Sequence, residues 1–137
     1  SVDLVRPREM SNTQRIQIIT AAVVLLLATA LGAFGTHGLR SSLTPAAWDI
    51  YTTAVEYQFY HGLGLLGIAL VATHFPASRL IKVSGWLLLV GVVLFCGSLY
   101  LLAFGAPSFL GAVAPIGGTA FLLGWLTLAI GVLRERI

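Results

Sequence analysis

Glu56, Tyr57, Gln58, Tyr60 and His61 crowd into the stretch AVEYQFYHGLGLL (54–66), inside a chain with only 9% charged residues. A carboxyl group, an imidazole, an amide and two phenols set this close can do three things. They can pass a proton along a polar path, hold a head group by hydrogen bonds, or lock helices together. His37 is the other imidazole in an apolar setting, and a haem held by His37 and His61 would need them at one depth, which their positions oppose. His74 sits at the boundary of an apolar run and reads as a solvated residue. No nucleophile–base–orienter set, phosphate-cradling glycine loop or acidic metal pair is present. The chain therefore does not read as an enzyme, and no metal or cofactor is expected; a bound lipid is the one ligand the composition suggests.

These residues need elements to hold them. The 137-residue chain is 58% hydrophobic, and its 9% charge compares with about 25% in soluble domains. This is a membrane composition. The net charge of +3 does not imply nucleic-acid binding, because the basic residues sit at the ends of apolar runs and form no patch. The single cysteine, Cys96, cannot form an intrachain disulfide and lies in an apolar run, where it reads as a small packing residue.

A bilayer core asks for about 20 apolar residues per helix. Four runs satisfy this: 16–35, 46–75, 83–104 and 109–133. They predict a four-transmembrane-helix bundle over 16–137, preceded by a polar tail over 1–15. The first run is longer than the roughly 7–15 residues of a signal-peptide core, so it reads as an anchor. Thr44 and Pro45 predict the start of the second helix. At that start, Trp48 and Tyr51 fall at the level of an aromatic belt.

Arg6, Arg8, Arg15, Arg79, Lys82, Arg134 and Arg136 flank one side of these runs, leaving Arg40 on the other. The positive-inside rule then puts both termini in the cytoplasm and the chain in a bacterial inner membrane. Lipid tails are as apolar as leucine, so small residues must let the helices approach. Gly32 and Gly35 mark one seam, and Gly117, Gly124 and Gly131, seven apart, mark another for a neighbouring helix. Pro115 should kink the last span or break its first turn.

On a wheel of about 100° per residue, Glu56, Asp49, Tyr60, Thr53, Gly64, Tyr57 and His61 fall within about 140° of arc, with Gln58 outside it. This predicts one polar wall facing into the bundle. Glu56 lies about 7 Å from His61 along the axis. At that depth it needs a partner, a bound proton or water, and His37 or Arg40 are the nearest candidates.

The segments LGAFGTHGL (31–39), EYQFYHGLGLL (56–66), GVVLFCGSLYLLAF (91–104) and APIGGTAFLLGWLTLA (114–129) occur in this order. Together they resemble the family of small membrane proteins called domain of unknown function 423, which takes in transmembrane protein 256-like chains. Thr36, Cys96 and Ala114 depart from the family pattern, which has a small residue, a serine and often a threonine there. The resemblance implies a four-helix membrane protein without an assigned reaction. It marks Gly35, His37, Glu56, Tyr57, Gln58, His61, Gly97, Ser98, Tyr100, Pro115, Gly117 and Gly118 as residues of interest.

Three functions fit. The first is an accessory or structural subunit of a larger membrane complex, with partner membrane subunits or further copies of itself. The second is an oligomeric transporter of protons or small solutes along the Glu56/His61 face. The third is a lipid- or quinone-binding protein.

Overall fold

The computed structural model describes residues 9–135, and every regular element among them is helical. Ser11 opens α1 (Asn12–Phe34) with a reciprocal capping box: its hydroxyl accepts from the Gln14 amide, and the Gln14 side chain accepts from the Ser11 amide. The helix runs on through a π turn, Gly35–Leu39. Thr44 caps α2 (Pro45–Val71) by accepting from the Ala47 amide, with Pro45 in the first turn. Ser78 caps α3 (Arg79–Gly91). A second π turn, Val92–Cys96, joins α3 without a break to α4 (Gly97–Ala103). A 3-10 turn, Ser108–Ala112, leads into α5 (Ala114–Leu133).

Three of these rods are long and apolar enough to cross a membrane: Asn12–Leu39, Arg79–Ala103 and Ser108–Leu133. The 27-residue α2 is long enough but is not among them, because its polar cluster lowers its apolarity. It also ends earlier than the sequence suggests. From Ala72 to Phe75 the backbone makes i→i+3 bonds, Thr73 to Leu70, His74 to Val71 and Phe75 to Ala72. Pro76 disfavours helical geometry at the residue before it, so the last turn tightens and stops. Pro115 breaks the first turn of its rod: the 3-10 turn precedes it, and it lies in the first turn of α5, where a missing N–H costs nothing. Gly105, at φ 88°, makes the reversal between α4 and α5.

Small residues set the packing. Along α1, Gly32 and Gly35 face Val55 and the Tyr51 ring, and Gly62 of α2 faces Val24 and Leu25. As the number rises on one helix it falls on the other, so α1 and α2 lie antiparallel in full-length contact. The Gly117/Gly124/Gly131 seam is occupied from within the chain. A Cβ on Gly117 would stand 2.8 Å from the Phe95 Cα, one on Gly124 2.7 Å from a Leu88 methyl, and one on Gly131 3.0 Å from Ile81. The continuous rod of α3 and α4 therefore fills the seam that the sequence left open to any neighbour. Gly97, by contrast, has open space at its Cβ position.

Gln17 Nε2 donates to the Lys82 carbonyl at 3.0 Å, and the Gln17 amide rests on Gly85. Gly131 packs on Leu80 and Ile81. These contacts bring Arg15, Arg79, Lys82 and Arg134 to one end of the bundle. Arg40 lies at the other end, with its guanidinium 5.7 Å from the Trp48 ring centre. The expectations on residues 1–8, including Arg6 and Arg8, and on Arg136 lie outside the described residues.

Candidate functional site

α2 presents two opposite faces. Tyr51, Ala54, Gln58, His61, Leu65, Ile68 and Ala72 are buried, at alternating three- and four-residue steps. With Glu56 at zero on a wheel of about 100° per residue, all of them fall between about 120° and 220°. Glu56 thus points away from the bundle. Asp49, Tyr60, Leu63, Gly67 and Leu70 are exposed with it.

This corrects the single polar wall. His61 and Gln58 turn inward, Tyr57 is half-buried, and Glu56 and Tyr60 turn outward. In lipid, apolarity does not separate an inward face from an outward one. Shape decides instead: Ala54, Gly62, Ala69 and Ala72 let α2 lie close to its neighbours, and the polar residues follow. Glu56 forms no ion pair with His37 or Arg40 among the described residues. His37 is exposed within the first π turn and does not share a cavity with His61.

The inward polar residues are matched. Gln58 is 4% exposed, and its amide Nε2 donates to the Val24 carbonyl at 2.9 Å. Its Oε1 accepts from the Tyr100 hydroxyl at 2.6 Å. One side chain therefore joins α1, α2 and α4. Tyr51 is fully buried: its ring fills the notch left by Gly35, and its hydroxyl donates to the Leu31 carbonyl. Trp48 stacks on it at 5.7 Å and takes the half-buried position. Gln17 belongs with these residues through its Nε2, although its only signal in the sequence is a glutamine at the start of an apolar run.

His61 is 6% exposed and lies parallel to Phe121, with ring centres 3.6 Å apart. Its Nδ1 sits 2.9 Å from the Tyr57 carbonyl. A carbonyl only accepts, so Nδ1 carries a proton, and in the neutral ring Nε2 holds the lone pair. Tyr57, His61, Phe95, Gly118, Phe121, Leu122 and Trp125 line a cavity of about 240 Å³ between α2, the second π turn and α5. Phe95 projects from that π turn and meets Tyr57 edge-on at 4.9 Å. The Trp125 indole lies against Gly64, where any Cβ would strike it at 2.7 Å. Gly118 borders the cavity almost free of contacts, with Phe95 Cδ2 3.9 Å from its Cβ position. Among the described residues no group of three or more His, Cys, Asp or Glu side chains could hold a metal ion.

A family model described as "Protein of unknown function (DUF423)" matches residues 31–118. The chain is similar to the UPF0382 membrane protein YwdK of Bacillus subtilis, 38% identical over 120 residues that cover 88% of this chain and 98% of the relative. A UPF0382 membrane protein of Staphylococcus epidermidis is 44% identical over 120 residues, covering 88% and 97%. The UPF0382 inner membrane protein YgdD of Escherichia coli is 38% identical over 124 residues, covering 90% and 94%. No solved structure matches the chain.

Proposed function

Since the chain belongs to the DUF423 family of membrane proteins, we propose that it serves as a subunit of a membrane assembly and docks through the outward stripe of α2. In this reading four helices cross the bilayer. The three apolar rods do so by their own composition. α2 supplies the fourth crossing, because it lies along α1 and its 27 residues reach about 40 Å. The end that gathers Arg15, Arg79, Lys82 and Arg134 faces the cytoplasm under the positive-inside rule, and Arg40 faces outward. The host membrane is a bacterial inner membrane, in keeping with the inner membrane protein YgdD of Escherichia coli.

The observation that carries the reading is the outward placement of Glu56, eleven residues into α2, with no partner among the described residues. An ionisable side chain in hydrocarbon costs at least ~2.5 kcal/mol on insertion scales. A neighbouring helix with a hydrogen-bond donor or a cation at that depth removes the cost. The same stripe offers Tyr60 as a donor and Gly67, with open space at its Cβ position, as a place for close backbone approach. Transport along α2 has less support, since Gln58 spends both ends of its amide on Val24 and Tyr100.

Extraction into native-lipid particles followed by mass measurement tests the proposal. The wild-type chain should emerge with another membrane polypeptide or a second copy, and Glu56→Leu should emerge alone. Lone chains of equal mass from both would overturn it.

A further inference from the structure

We propose that the cavity beside His61 binds the ring of a hydroquinone with an apolar tail, and that it prefers this reduced, hydroxyl-bearing form to the quinone. The inference stands independently of the docking stripe, which lies on the opposite face of α2.

His61 is more than nine-tenths buried and spends its only N–H on the Tyr57 carbonyl. Its Nε2 has no partner among the described residues. The sealed, unpaired side-chain atoms of the bundle are Gln14 Nε2 and Gln17 Oε1. Nε2 is not one of them, so it is not sealed in the bundle, and His61 is a wall of the cavity. A lone pair held in an apolar pocket recruits a donor, and the neutral ring offers no N–H there in return.

The walls define the rest of the ligand. Tyr57, Phe95, Phe121 and Trp125 give flat apolar faces, and Gly118 leaves a gap between them. An apolar cavity of about 150 Å³ holds one benzene ring, so about 240 Å³ accommodates one substituted ring. It falls below the roughly 300 Å³ at which drug-sized pockets begin, which leaves out a macrocycle such as haem. Leu122, 72% exposed, and Trp125, 41% exposed, stand at the mouth on the outer side of the bundle. A hydrocarbon tail leaves there into the lipid. The site is also deep. His61 is ten residues, about 15 Å, from the end of α2 and farther from its start. A glycerolipid head group stays at the membrane surface, whereas a quinol ring travels with its tail into the hydrocarbon.

The chemistry makes the preference testable. A hydroquinone donates an O–H to Nε2; the matching quinone and the hydroquinone dimethyl ether have acceptors only. One net hydrogen bond of about 0.5–1.5 kcal/mol corresponds to roughly a two- to tenfold preference.

The experiment is imidazole 15N NMR of the full chain in phosphatidylglycerol/phosphatidylethanolamine nanodiscs, titrated anaerobically with a decyl benzohydroquinone, its quinone and its dimethyl ether. The His61 Nε2 signal should move saturably with the hydroquinone and at least twofold more weakly, or not at all, with the other two. His37 and His74 are internal controls for bulk partitioning and should not move. Gly118→Leu, whose Cβ meets only Phe95 Cδ2 at 3.9 Å, should keep the folded helical spectrum and lose the response. An unmoved His61 signal, an equal response to all three probes, or an undiminished response in a folded Gly118→Leu would overturn the proposal.

Discussion

The Tyr100 hydroxyl donates to Gln58 Oε1 across 2.6 Å, and through Gln58 it reaches the Val24 carbonyl on α1. Three helices thus meet at one amide, with no hydrophobic driving force between them in lipid. Tyr100→Phe leaves Gln58 Oε1 buried without its donor, and Gln58→Leu strands the Tyr100 hydroxyl. Each single change should cost about 1–2 kcal/mol. The double variant should cost less than the two summed, by the roughly 0.6–1.7 kcal/mol found for hydrogen bonds within membranes. Reversible unfolding of the four proteins in bicelles, arranged as a double-mutant cycle, measures that coupling.

The glycines divide by what lies opposite them. Gly117→Ala drives a methyl group into the Phe95 backbone, which cannot swing aside. It should lose about 1–3 kcal/mol, the usual cost of overpacking. Gly97→Ala meets nothing within 4 Å and should be neutral or slightly stabilising, since alanine favours a helix by up to about 1 kcal/mol. Thermal unfolding followed by circular dichroism in detergent ranks the two.

α2 does not qualify as an apolar span as the other three rods do, because of polar residues that face both ways. Glu56→Leu removes the outward carboxyl group and breaks no hydrogen bond or ion pair among the described residues. Its insertion into microsomes should improve by at least ~2.5 kcal/mol in apparent free energy, while the stability of the isolated chain should stay within about 0.5 kcal/mol of wild type. A glycosylation-reporter assay of α2 reads the first and bicelle unfolding the second.

Much of this was legible in the sequence, and the exceptions share a cause. The rods follow from charge-free runs. The start of α2 follows from Thr44–Pro45, since capping chemistry is local; α3 starts at Ser78, inside the segment expected to be a connection before residue 83. The facing of α2 did not follow. A wheel that gathers polar residues assumes that polarity points inward, an assumption inherited from water. Here the inward stripe is marked by Ala54, Gly62, Ala69 and Ala72, and Gln58 and His61 turn in because they share its angles, while Glu56 is opposite. The seam at Gly117, Gly124 and Gly131 was visible as small residues, but which helix fills it depends on contacts across the whole chain. The cavity depends on the π turn at Val92–Cys96, which inserts one residue into the register and turns Phe95 towards Tyr57; no local residue type announces it.

Sidedness has its own readout. With Cys96 replaced by alanine, Ser41→Cys beside Arg40 should react with a membrane-impermeant maleimide added to intact cells. Glu135→Cys beside Arg134 should react only after the cells are opened. Labelling of both from outside, or of Glu135→Cys alone, would reverse or dissolve the orientation.

The central claim is that protein, not hydrocarbon, covers the stripe through Glu56, Tyr60 and Leu63. The most direct measurement places a photo-reactive amino acid at Leu63 and irradiates intact cells. The expected result is an adduct whose mass equals this chain plus one membrane polypeptide, either foreign or a second copy, and the adduct disappears when Glu56→Leu is added. Adducts to lipid alone, unchanged by Glu56→Leu, would contradict the account.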